Sequence, residues 1–135
     1  MKKKLTVILE SAPNNYSAYI QGVDGVVAIG YSIPEIKEKI KEAIDVFKEC
    51  CVEDGFEIPE PLQGEYELEY HIDVKSFLEV YSQYFTKAVL ERLTGVNQKQ
   101  LWHYASGRTK PRKKQRDRIE TAIHNLGRDL MAFSF

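Results

Sequence analysis

After Ile72 the hydrophobic period of this chain turns helical for good, and that change constrains its fold more than any other feature. In "YELEYHI" (Tyr66 to Ile72) the residues alternate strictly. Tyr66, Leu68, Tyr70 and Ile72 fall on one side, and Glu67, Glu69 and His71 on the other. A two-residue period of this kind makes a half-buried strand. From Asp73 onward the apolar residues recur at three- and four-residue steps instead, the period of helices. We therefore expect an α+β protein in two parts. A small sheet-and-helix domain over residues 1–72 precedes an all-helical domain over residues 73–135, each with a modest core.

The front part reads as three strands, a helix and a fourth strand. "KLTVIL" (Lys4 to Leu9) suits a buried strand, and "YSAYI" (Tyr16 to Ile20) follows the turn-rich "SAPNN" as a hairpin partner would. "VVAIG" (Val26 to Gly30) comes after Asp24-Gly25, a pair suited to a tight turn with positive φ. Ser32 and Glu35 then make an S-x-x-E capping box, with Pro34 in the first turn where its missing N–H costs little. Ile33, Ile36, Ile40, Ala43, Ile44 and Phe47 form one apolar stripe on this helix, and Lys37, Glu38, Lys39, Lys41 and Glu42 cover its other side. "VEDGFEIPEP" ends it.

The whole chain of 135 residues carries a net charge of only −1, but the charge is not evenly spread. Residues 1–70 hold 7 lysines against 14 acids, a balance of −7, whereas residues 71–135 hold 12 lysines and arginines against 6 acids, a balance of +6. Two readings stand: different partners for the two halves, a polyanion for the rear one, or simply a solvated charged surface. The opening "MKKKLTVILESAP" starts basic, but its apolar core from Leu5 to Leu9 is shorter than the ~7–15 residues of a signal-peptide h-region. No apolar run approaches the ~20 residues that span a bilayer. A cytoplasmic protein with no membrane partner is expected.

In the rear part, Asp73 or Ser76 is offered as a cap for a helix bearing Phe77, Leu78 and Tyr81 on one side. Thr86 can cap "KAVLERL", with Val89, Leu90 and Leu93 inward, and Gly95 ends that helix as a C′ glycine does. Asn97 caps the next helix with Gln100 three residues on, and Val96 and Leu101 make a hydrophobic staple. Leu101, Tyr104 and Ala105 point inward, while Gln98, Lys99, Trp102, His103 and Ser106 remain outside. The last helix has Ile119, Ala122, Ile123, Leu126 and Leu130 as its stripe. Its apolar end, Leu130 to Phe135, exceeds what the unit needs for a core, and two readings stand: a terminus packed on its own unit, or the contact surface of a homodimer or higher homo-oligomer.

Two resemblances follow from these residues. "YSAYIQGVDGVVAIGYSIPEIKEKIKEAI" (Tyr16 to Ile44) resembles the HicB antitoxin domain, with Val23-Asp24-Gly25 in place of its Leu-Pro-Gly turn and Gly30-Tyr31-Ser32 at its helix start. That resemblance covers about the first 70 residues. It implies a partial RNase H-like fold that binds and silences a small toxin ribonuclease of the HicA kind. "TKAVLERLTGVNQKQLWHYASGRTKP" resembles the Xre/Cro-type helix-turn-helix, whose pattern is "sQxeLAxxLGVsqxxIsxWexGkrkP". Glu91 and Thr94 depart from it, standing where Ala and Leu are usual.

The second resemblance implies operator DNA as a partner, with the helix after Asn97 in the major groove. The DNA-contacting set is then Asn97, Gln98, Lys99, His103, Arg108, Lys110 and Arg112. Gln98 has the amide geometry to read an adenine, Lys99 can reach guanine or phosphate, and Arg108, Lys110 and Arg112 suit phosphate clamping. His103 suits a phosphate hydrogen bond. Arg108, Lys110 and Arg112 would otherwise be solvated loop residues, but their position straight after the groove helix favours DNA, and Trp102 suits packing on a neighbouring helix or subunit.

Catalysis is not expected. A two-metal nuclease needs carboxylates converging from neighbouring strands, but the first strand has none before Glu10 and "VVAIG" has none. Glu67 and Glu69 read as the polar side of an ordinary strand. No G-x-S-x-G motif or phosphate loop is present. The adjacent Cys50 and Cys51 are too close for an ordinary disulfide, and a buried thiol beside an exposed one is the simplest reading. Neither cofactor nor metal is called for. Two other functions stay open: a repressor whose front domain only senses a ligand or oligomerises, and a degenerate RNase H-like enzyme.

Overall fold

The computed structural model describes residues 2–135. It is a mixed α/β chain that divides into two compact units, the first ending at Asp73 and the second running from Val74 to Phe135. In the first unit, β1 (Lys3–Ser11), β2 (Tyr16–Ile20), β3 (Val27–Gly30) and β4 (Tyr66–Ile72) form one sheet in the order β3-β2-β1-β4. β1–β2 and β2–β3 are antiparallel, whereas β4 runs parallel to β1. A parallel neighbour needs a long crossover, and α1 (Ile33–Glu53) supplies it, lying across one face of the sheet.

The α1 stripe packs as its spacing requires. Ile36, Ile40 and Ile44 are buried against Val7, Ala18 and Ile20, and Ile33, Ala43 and Phe47 pack around them. Cys51 extends the stripe by one more turn and is buried, while Cys50 is exposed; both thiols are free. The cap forms with one change. The Ser32 hydroxyl accepts from the Glu35 N–H (3.2 Å), but the Glu35 carboxylate reaches the N–H of Tyr31 (3.1 Å), one residue before the cap. Two lysines of α1 are less solvated than their polar positions suggest. The Lys37 and Lys48 ammonium groups lie 4.7 Å from the ring centres of Tyr70 and Tyr66, and Lys48 also donates to the Tyr66 hydroxyl (3.0 Å). Long lysine stems thus cover the apolar edge of β4.

The second unit consists of α2 (Val74–Val80), a 3-10 turn (Tyr81–Gln83), α3 (Lys87–Thr94), α4 (Gln98–Ser106) and α5 (Lys113–Met131). Ser76 does not cap α2; it lies inside the helix and is buried with Leu78 and Val80. Phe77 and Tyr81 stack at 5.0 Å. The core comprises Leu78, Leu90, Val96, Leu101, Tyr104 and Ile119, with Leu93, Ala105 and Ile123 packed at its margin. α5 outruns this core. Only Ile119 is fully buried along it, and Leu130 is 59% exposed, so the apolar end is not packed on its own unit.

Candidate nucleic-acid interface

α3 and α4 are joined by Gly95-Val96-Asn97, and the connection is held by side chains as well as by its backbone. Thr86 caps α3 by accepting from the Val89 N–H (3.1 Å). Gly95 ends it in the left-handed region (φ 75°), its N–H donating to the Glu91 carbonyl. Thr94 is buried, and its hydroxyl works both ways. It donates to the Leu90 carbonyl (2.7 Å) and accepts from the Val96 N–H (3.1 Å). A leucine at this position could make neither bond. From α5, Arg118 donates to the Gly95 carbonyl (2.9 Å) and to the Gln115 side chain (3.2 Å), tying the turn to the last helix of the unit. A Cβ on Gly95 would lie 2.6 Å from this guanidinium, which a flexible arginine can yield, so it is the positive φ that favours glycine there.

The start of α4 differs from the expected capping box. The Asn97 side chain accepts from the Lys99 N–H (2.8 Å), as a cap should. Gln100 does not complete the box; its amide donates instead to the Thr109 hydroxyl (3.4 Å). Glu91 contributes to this end from α3 instead, at the next N–H along. Its carboxylate accepts from the Gln98 N–H (3.2 Å) and lies 3.5 Å from the Gln98 side-chain nitrogen. Two orphan N–H groups at the positive end of α4 are therefore satisfied, one by a neutral amide oxygen and one by an anion. Val96 and Leu101 are both buried, as a staple between them requires.

α4 ends at Gly107 (φ 79°), with the Arg108 N–H returning to the His103 carbonyl (3.0 Å). Beyond it the chain folds back beside the helix. Gly95, Val96, Asn97, Gln100, Tyr104, Thr109, Lys110, Arg112, Gln115 and Arg118 line a groove of about 630 Å³. Of the residues expected to meet DNA, this groove brings together Asn97, Lys110 and Arg112. Gln98, Lys99 and Arg108 are exposed outside it, and His103 is half-buried. None of Lys99, Arg108, Lys110 and Arg112 makes an ion pair among the described residues. Their charge is available to an anion.

Three contributors to this surface escaped the sequence reading. Arg118 joins Lys110 and Arg112 at the groove, but it lies 23 residues from the glycine it contacts. Glu91 was visible only as a departure from the pattern, and nothing local indicated that it reaches Gln98. Lys87 is buried (9% exposed), and its ammonium lies 4.6 Å from the ring centre of Trp102. Trp102, the single tryptophan, is otherwise 60% exposed on the outer side of α4.

The first unit presents a second surface. One face of its sheet lies under α1, and the opposite face carries Ile8, Tyr19 and Val27 side by side across β1, β2 and β3, with His71 next to Ile8 on β4. Tyr19, Val27 and Ile29 are 39%, 60% and 53% exposed. Glu10, Glu67 and Glu69 share that face and are exposed. The carboxylates do not converge: among the described residues no group of three or more His, Cys, Asp or Glu could hold a metal ion. An apolar row flanked by acids is suited to contact with a basic protein. No described helix is long and apolar enough to cross a membrane. Comparison with protein-family models, curated proteins and solved structures gives no match to this chain.

Proposed function

We propose that this chain is an antitoxin of the HicB type. Its first unit, a partial RNase H-like domain, binds and silences a small toxin ribonuclease, and its second unit is a helix-turn-helix that binds the promoter of its own operon. The observation that carries the DNA half is α4 itself. It is capped at its start and closed by glycine at its end, its outer side is exposed, and unpaired cations follow it directly. Such a helix can enter a major groove with Gln98 and Lys99 at base edges, while Lys110 and Arg112 hold phosphate. The open sheet face supports the other half, since a ribonuclease that grips RNA must itself be basic.

The test is binding of the purified chain to the DNA upstream of its own gene, together with co-expression alongside the neighbouring open reading frame. Lys110→Ala weakens binding to all duplexes alike and lowers the salt dependence by about one unit of slope, whereas Gln98→Ala reduces discrimination between promoter and unrelated DNA. Unchanged affinity for both variants at low salt would sink the DNA assignment. Failure of the neighbouring product to co-purify, or of this chain to relieve its toxicity, would sink the antitoxin assignment. A second reading, a repressor whose first unit only oligomerises, is favoured by one feature. β3 is a sheet edge bearing exposed Val27 and Ile29, and such an edge can pair with a copy of itself.

A further inference from the structure

α3 and α4 meet through two side-chain contacts, one helical turn apart. Lys87 and Glu91 stand four residues apart on α3, and Gln98 and Trp102 four residues apart on α4, so each pair shares one side of its helix. The Lys87 ammonium lies 4.6 Å from the ring centre of Trp102. One Glu91 carboxylate oxygen accepts from the Gln98 N–H (3.2 Å), and the other lies 3.5 Å from the Gln98 side-chain nitrogen. Gln98 and Trp102, both exposed, are thus backed from α3. The contact at 3.5 Å fixes which way round the Gln98 amide sits. With the amide reversed, its oxygen would face a carboxylate oxygen, two acceptors with no hydrogen between them. Glu91 turns the nitrogen toward α3 and leaves the amide oxygen, with one N–H, for a ligand.

We infer that Glu91 sets the base preference of this protein, committing Gln98 to adenine and barring guanine. The inference rests on the proposed reading of α4 as a groove helix. In the major groove adenine offers an acceptor at N7 and a donor at N6, whereas guanine offers two acceptors, N7 and O6. A free glutamine amide can meet either edge. It gives adenine one N–H and its oxygen, or guanine both hydrogens of its nitrogen. Held by Glu91, Gln98 keeps one N–H and one oxygen, the pair that matches adenine. Against guanine the oxygen would face O6, and the second N–H is already engaged. Alanine, usual at this position in the helix-turn-helix pattern that the chain resembles, could impose no such choice. Glu91 is a positioning residue, acting through Gln98 rather than on the base itself.

The charge of Glu91 has a second consequence. Its carboxylate makes no ion pair among the described residues. An uncompensated anion at the start of a helix that approaches phosphates weakens every complex with DNA. Glu91 therefore sharpens discrimination while lowering affinity. A residue that merely holds the fold has a different signature, because losing it lowers both.

The experiment is selection of sites by the full chain from a randomised duplex library, then titration of the selected duplex and its single-base variants. The parent should select adenine at the position where Gln98→Ala loses discrimination. Glu91→Ala should reduce the adenine-over-guanine ratio there roughly 5–150-fold, the equivalent of about 1–3 kcal/mol for one bidentate contact. It should also bind unrelated duplex more tightly than the parent. Glu91→Gln removes the charge but keeps an oxygen for the Gln98 amide, so it should gain the same affinity and keep more of the preference. Alanine is the best helix former, and a cooperative melt followed by tryptophan emission confirms that both variants are folded. A selected base other than adenine, an unchanged ratio in Glu91→Ala, or a fall in affinity for every duplex alike would overturn the inference. The DNA reading fails separately. A parent that enriches no site at low salt removes the groove helix and this inference together. A parent that enriches a site, with Glu91→Ala keeping its preference, removes the inference alone.

Discussion

Replacing Thr94 by valine isolates one hydroxyl with little change of volume. In the parent that hydroxyl donates to the Leu90 carbonyl (2.7 Å) and accepts from the Val96 N–H (3.1 Å), and Val96 is 2% exposed. Valine leaves the Val96 donor buried without this partner, which costs roughly 1–3 kcal/mol. The added methyl offsets this by under about 1 kcal/mol. The net expectation is a loss of about 1–2 kcal/mol. The second unit, Val74–Phe135, has 62 residues and is held by roughly 3–9 kcal/mol in all. At about 4–8 °C per kcal/mol for a domain of this size, its midpoint should fall by roughly 5–15 °C. The assay is thermal unfolding followed by tryptophan fluorescence, which reports this unit alone because Trp102 is the single tryptophan. Thr94→Ser keeps the hydroxyl and should cost less than about 1 kcal/mol. If valine and serine melted together at the parent temperature, the account of Thr94 as the brace of this turn would be wrong. Promoter affinity should follow the same order, because the turn sets where α4 points.

Two further outcomes follow from local electrostatics. In the first unit, the ammonium of Lys39 (2.9 Å) and then the Tyr31 N–H hold the Glu35 carboxyl below its ordinary pKa. Glu35 thus stabilises the fold at pH above the ordinary glutamate range, and this contribution fades as pH falls through the lowered value. Glu35→Gln should flatten the acid side of the stability profile, as read by circular dichroism, and leave the neutral side nearly unchanged; an identical acid limb would count against the cap geometry. In the second unit, Lys87→Met removes the cation over Trp102, with an expected loss of about 0.5–1 kcal/mol and a changed emission maximum. An unaltered spectrum would mean that the ammonium does not rest on the ring in solution.

Much of this architecture was legible in the sequence because it is set locally. The alternation of "YELEYHI" places Leu68 and Tyr70 against the core in any sheet that buries one face. Ser32, Thr86 and Asn97 cap their helices through bonds that span two or three residues, within reach of pattern reading. Gly95 and Gly107 were readable as helix stops for the same reason, since only the backbone at those positions decides them. Where the local rule was ambiguous the reading left two caps open, Asp73 or Ser76; α2 begins at Val74, directly after Asp73, and Ser76 lies buried inside it.

The sequence by itself determined the two-part division, the element order, the helix caps, and the opposite charges of the two halves, all of which depend on neighbours a few residues apart. Only the tertiary structure decided which distant groups meet. The strand order β3-β2-β1-β4, the Glu91 carboxylate at the start of α4, Arg118 on the Gly95 carbonyl, and Lys87 over Trp102 each join residues from different elements. So does the exposure of Leu130 and Phe133, which depends on where the rest of the core stops. No period or spacing encodes these pairings, because they arise only when the elements pack and the competition for each buried donor is resolved in three dimensions.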